Sequence, residues 1–277
     1  MRKSLIKQAL VLSLILVSIY AYSQETVLLK YSFVQGKTYV QNSQLTSNVT
    51  QSMGGREMKM QSDVNSTSEY AIEGVGVDAN TTILVSLLST SVHSAGMGRD
   101  TTMNFKDLKD KSRVVLSADG KSISTVKVDS SEVSKMLGAI NAKLPTLPNK
   151  SVKVGEKWNE KVEEVKKTGG PFPMNVITEM EYTLIGKEVK DGNDYYKISY
   201  TGSIAVNGKG SQMGMEMFLE GTGKTEGFNY FDPKTSMVVY SESTTEMDMT
   251  IAVSGQQNMT IPMTQSMKTI VKFEEKK

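Results

Sequence analysis

Met213, Met215 and Met217 take every second position of QMGMEMFLEG, residues 212–221. Thioether sulfur is a soft donor that selects Cu(I) over hard ions. In an extended strand these three side chains share one face, about 6.5–7 Å apart. One strand alone spaces them too widely to converge on a single ion. The chain offers few companion ligands, with one histidine, His93, and no cysteine. Packing asks less of the same residues, because methionine is unbranched and fills irregular apolar space. Met213, Met215, Met217 and Leu219 make one apolar face. Gly214, Glu216, Phe218 and Glu220 make a more polar one. These four apolar residues are the candidate ligand-binding set, read as core or pocket lining. No metal site and no cofactor is implied.

Other chemistry is thin. His93 sits among serines in STSVHSAG, with no nucleophile elbow GxSxG anywhere in the chain. Glu160, Glu163, Glu164, Glu179, Glu181, Glu242 and Glu246 share strand-like segments with lysines and read as solvated faces. A glycosidase pair would also want aromatic platforms, and aromatics are 7% with one tryptophan, Trp158. The Asp/Asn turns at 78–80 and 191–194 lack the spaced oxygens of a calcium loop. No catalytic residue is identified, and the chain reads as non-enzymatic.

The elements that must hold these residues are strands. TTILVSLLSTSVH (81–93), DYYKISYTGSIAV (194–206) and SMKTIVKFEE (266–275) alternate with period two. Turn residues separate such runs at SADGKS (117–122), KDGND (190–194), NGKG (207–210) and FDPKT (231–235). One segment differs. DSSEVSKMLGAINAKL (129–144) places Val133, Met136, Leu137, Ile140 and Leu144 at helical spacing, and predicts one amphipathic helix. The prolines of LPTLPNK then impose an extended linker.

The two sides of that helix resemble each other. Tyr70 in SEYAIEGVGVDAN aligns with Tyr182 in MEYTLIGKEVKDGN, and AGMG (95–98) with NGKG (207–210), both at an offset of 112. Asp119 aligns with Asp232, and VQGKTY (34–39) with KVGEKW (153–158). These landmarks predict an all-β protein of two pseudo-repeats. The expected form is an antiparallel, strongly curved sheet, as an open barrel or two-lobed sandwich, with the helix between the halves. Residues 24–128 form the first half, 129–150 the helix and linker, and 151–277 the second half. The halves are expected to pack as one unit.

The N-terminus reads as an export signal. Arg2, Lys3 and Lys7 precede an apolar run over 8–20, and Ala21 and Ser23 fit a cut before Gln24. The run is too short to span a bilayer, so no transmembrane anchor is expected after cleavage of 1–23. The chain has 32 Lys+Arg and 30 Asp+Glu. Removing the three basic residues of the signal leaves 29 against 30, a net −1. Such a chain has no electrostatic reason to bind nucleic acid. Without cysteine, the sequons at Asn48, Asn65, Asn80, Asn149 and Asn258 read as by-products of a Ser/Thr/Asn-rich β protein. A bacterial periplasmic or secreted protein is the simpler reading.

YSFVQGKTY, the Met/Gln stretch QSMGGREMKMQ (51–61) and LPTLPNKSVKVGEKW (144–158) together resemble an uncharacterised family of exported bacterial proteins. The resemblance implies export and names no functional residue. By architecture alone the curved sheet is similar to bacterial lipoprotein carriers. Methionine is plentiful, 17 after Met1, while Phe and Trp are scarce. The leading expectation is therefore an envelope protein binding a lipid or another apolar small molecule on a Met-lined concave sheet. The alternative is a structural or interaction module that binds another envelope protein.

Overall fold

The structure is a computed structural model that describes residues 25–130, 144–166, 173–212, 214–255 and 258–276. Residues 1–23, expected to be an export signal, lie outside the described residues. In chain order the strands are β1 (Thr26–Leu29), β2 (Thr38–Met53), β3 (Arg56–Val75), β4 (Thr81–Gly96), β5 (Arg99–Lys106), β6 (Lys111–Leu116) and β7 (Ser122–Asp129). They continue with β8 (Lys150–Lys153), β9 (Lys157–Lys166), β10 (Met174–Lys190), β11 (Asn193–Gln212), β12 (Met215–Asp232), β13 (Met237–Ser254) and β14 (Met259–Glu275). Twelve of them form one sheet in the order β7-β6-β4-β3-β2-β14-β13-β12-β11-β10-β9, with β5 paired to β4. β1 and β8 form a separate pair. Every ladder is antiparallel, as period-two patterning with tight turns requires.

The core lies on one face of this sheet. Tyr39, Tyr70, Ile83, Leu116, Leu184, Ile198 and Phe231 are buried together with Leu29 of β1 and Val152 of β8. The cluster joins β4 and β6 from one end of the sheet to β10 and β11 from the other. The sheet therefore curls around the β1–β8 pair, and this face is concave. Tyr31 Oη donates to the carbonyl of Pro145 at 2.7 Å, and the Leu147 amide to that of Asp119 at 2.9 Å. The linker thus seals this end against the β6–β7 turn.

No ladder joins the two edge strands β7 and β9. Ten antiparallel steps connect β7 to β9, so the two edge strands run in the same direction. An antiparallel ladder between them is impossible. A side-chain contact does cross this gap, with Lys121 Nζ of the β6–β7 turn 3.5 Å from Glu160 Oε1 of β9. Of the two expected forms, the single open, curved sheet is the one found.

The two halves share a local geometry. The Gly36 amide donates to Ile72 O, and the Ile72 amide to Lys37 O. In the second half the Gly155 amide donates to Leu184 O, and the Leu184 amide to Glu156 O. Both glycines turn the chain at positive φ, 85° and 84°, where other residues are strained. Tyr39 and Trp158 follow each turn into the core.

One expectation needs correction, and another falls mostly outside the described residues. Among the described residues there is no helix. Asp129 ends β7, Leu144 is already part of the extended linker, and 131–143 of the predicted helix lie outside the described residues. The predicted turn at NGKG (207–210) is instead the interior of β11, where Gly208 faces Leu219 and Gly210 faces Met217. Its supposed counterpart AGMG does turn, with Met97 and Gly98 at positive φ. Glycine was read there as a turn signal, but inside a strand it marks a close approach.

Candidate functional site

Register assigns every side chain of the central strands to one of two faces. On β12 the inner positions are Met215, Met217, Leu219, Gly221, Gly223, Thr225, Gly227 and Asn229. Their partners on β13 are Val253, Ile251, Met249, Met247, Thr245, Ser243 and Ser241, from Met217 onward. β14 continues the face with Met259, Ile261, Met263, Gln265, Met267, Thr269, Val271 and Phe273. On β2, β3, β10 and β11 the same face carries Leu45, Val49, Met58, Met60, Met174, Val176, Met180, Ile204 and Val206. At the inner positions from Met58 to Ile72 on β3, Met174 to Leu184 on β10, Tyr196 to Gln212 on β11, Ser241 to Val253 on β13 and Met259 to Phe273 on β14, and at those all along β2 and β12, no Asp, Glu, Lys or Arg occurs. The outer positions of the same strands hold Glu220, Lys224, Glu226, Glu246, Asp248, Lys268 and Lys272.

The inner face has three zones along the strands. The aromatic core fills the end around β1 and β8. A belt of small and hydroxyl side chains follows: Ser43 and Ser66 share a hydrogen bond at 2.7 Å, Ser241 donates to Asn229 at 2.6 Å, and Thr245 to Thr225 at 2.9 Å. Gln265 reaches Ser47 at 2.9 Å. Beyond the belt lies the methionine zone, where Val206, Leu219 and Met249 are buried and Met174, Val176, Met217, Met247, Ile251 and Met263 pack against them half-buried. Among the described residues no second layer covers this zone, and it forms an open apolar trough.

Of the four residues named from sequence, Leu219 is 6% exposed inside this cluster, Met217 packs on its edge, and Met215 is 39% exposed at the strand's start. Met213 lies outside the described residues. The larger part of the trough was missed. It comes from Met247, Met249 and Met263 on two other strands, with Met249 directly opposite Met263. The alternation of β13 and β14 was the available signal.

The trough's floor is glycine. Gly221 and Gly223 face Met249 and Met247, and a methyl added at either glycine would come 2.5 and 2.7 Å from the methionine Cγ. Gly202 stands likewise under Met180, and Gly227 under Tyr200. Long side chains lie flat over glycines, which lets the sheet curl tightly at this point.

Elsewhere several polar groups pair with one another. On the outer face His93 Nε2 lies 2.9 Å from Asp100 and Nδ1 3.5 Å from Asp63. Hydrogen bonding to Asp100, then Asp63, raises the imidazole above its usual range. Tyr230 and Tyr240 are each pushed up to about 12, first by burial and then by donation to Glu188 and Glu242. Lys190 Nζ stands 3.4 Å from the Tyr240 ring centre, so this aromatic group is covered by its own lysine. A shallow cavity of about 220 Å³ crosses β2–β5 and is lined by polar residues such as Asn42, Asn65, Ser91 and Asn104. Among the described residues no group of three or more His, Cys, Asp or Glu is placed to hold a metal ion.

No family model matches the chain, and no curated protein matches it. Solved structures that align with the chain include an outer membrane channel of Pseudomonas putida F1, at 10% identity over 88% of this chain and 97% of that one, with a TM-score of 0.27. Pseudomonas aeruginosa OccK7 matches at 6% identity over 87% and 100%, with a TM-score of 0.34. The translocator domain of the autotransporter NalP from Neisseria meningitidis matches at 12% over 88% and 90%, with a TM-score of 0.22. At these identities and scores the likeness carries no weight for function or location.

Proposed function

We propose that this chain is a non-enzymatic protein of the bacterial envelope that holds an apolar ligand in the methionine trough. The carrying observation is the charge-free stretch of inner face, from the hydroxyl belt through the methionine zone, across seven adjacent strands, half-buried where no core fills it. Open apolar surface on that scale calls for an occupant, and methionine adapts to irregular chains. The outer face bears on location. A membrane-spanning barrel carries an outward apolar band, whereas here Thr222, Lys224, Glu226, Thr264, Lys268 and Asp248 are exposed. That favours a protein surrounded by water, in the periplasm or outside the cell, exported as the N-terminal segment and the resemblance to exported proteins imply.

Native mass spectrometry after mild extraction, with Nile red titration of the stripped protein, tests the reading. Expected are a bound lipid-sized mass and blue-shifted dye emission that Met217→Glu with Ile251→Glu abolishes. An empty protein that leaves the dye in its aqueous state sinks the reading. The alternative, an interaction module, draws on β7, whose free edge exposes Ile123, Val126 and Val128. Such an edge can accept a strand from another protein.

A further inference from the structure

We infer that the trough ligand is an uncharged amphiphile with a hydroxyl head, of the fatty alcohol or monoacylglycerol kind, and not an anionic lipid; this rests on the trough reading above. A chain lying on the methionine zone places its head at the hydroxyl belt. That belt contains Ser, Thr and Gln side chains and no cation. An anionic head entering it gives up water for neutral dipoles, a loss that only a paired charge offsets.

The charged group that does face the belt is acidic. Glu160 of β9 stands opposite Met180, in the register row that continues through Gly202, Thr225 and Thr245. Its side chain is 12% exposed, and its Oε1 accepts no hydrogen bond. Lys121 Nζ, 3.5 Å away, is shared with Asp119 at 3.4 Å. Tyr182 Oη lies 3.5 Å from the other carboxylate oxygen. Glu160 therefore repels an anionic head and offers a hydroxyl a charge-assisted acceptor. The same hydroxyl can accept in turn from a belt Ser or Thr.

The test displaces Nile red from the full-length protein with oleyl alcohol, 1-oleoylglycerol, methyl oleate and oleate at pH 8, each below its micellar concentration. The two hydroxyl compounds are expected to displace at concentrations at least about tenfold lower than oleate, with methyl oleate between. Thr245→Lys, which puts an ammonium in the belt, should reverse the order in favour of oleate. Glu160→Leu should erase the advantage of oleyl alcohol over methyl oleate, and Glu160→Gln should keep part of it. Oleate competing as well as the alcohol on the unmodified protein overturns the inference, as does dye binding that none of the four displaces; both leave the trough itself standing. Failure of Nile red to bind removes the trough reading and this one with it.

Discussion

Gly223 of β12 and Met247 of β13 stand directly opposite each other, and the methionine side chain occupies the space where a Cβ on the glycine would be. The pair shows how the sheet curls. A bare backbone on the concave side lets a long side chain lie across it. Gly223→Val is therefore expected to destabilise the protein by about 1–3 kcal/mol through overpacking. Gly74→Ala, where a methyl meets nothing within 4 Å, should change stability by about 1 kcal/mol or less. Urea unfolding of both variants decides the point.

The β1–β8 pair is a plug inside the curl, so its two faces should differ sharply. Leu29 is fully buried and Leu28 is 47% exposed. Leu29→Ala should cost about 2–5 kcal/mol, the range for core truncations. Leu28→Ala should stay within about 0.5 kcal/mol of the unmodified protein. Equal effects in thermal unfolding would mean that the pair does not seal the core.

His93 bridges Asp63 of β3 and Asp100 of β5, and its pKa is raised in the folded chain. Its stabilising contribution is therefore fully present below the unfolded value near 6.5 and is lost as pH rises through the raised folded value. The Tm advantage of the unmodified protein over His93→Gln should shrink from pH 5.5 to pH 9. Asp63 works in the opposite sense. Bonds from Thr46 and Gln61 lower its pKa, so its contribution is lost as pH falls through that lowered value. As the sole histidine, His93 gives one imidazole signal by NMR, which reports the titration directly.

The thioethers of Met249 and Met263 meet across a ladder, yet Val206, Leu219 and Ile251 surround them. Cu(I) titration against a chromophoric chelator should show no copper retained by the protein. Replacing Met217, Met249 and Met263 with leucine should leave that titration unchanged while keeping Nile red binding. Tight copper binding lost in this triple variant would restore the metal reading.

Much of the fold was legible because period-two alternation is a local signal. Residues 81–93, 194–206 and 266–275 are strands as read, and the turns at 117–122, 190–194 and 231–235 stand between strands. The reading failed where one residue type serves two purposes. Gly208 and Gly210 looked like turn residues, and only the opposing Leu219 and Met217 reveal them as strand interior.

The sequence by itself determined that Met215, Met217 and Leu219 share one apolar face, because alternation along a strand follows from backbone geometry alone. It also determined the overall charge and the poverty of catalytic groups. Tertiary structure decided what that face meets. Met247, Met249 and Met263 lie on the next two strands of the meander, but Leu45, Val49, Met58 and Met60 join the face only because β14 pairs with β2, a long-range ladder that no local pattern encodes. The open seam was likewise invisible in the residues. It is a property of the whole sheet, in which β7 and β9 remain unpaired edges.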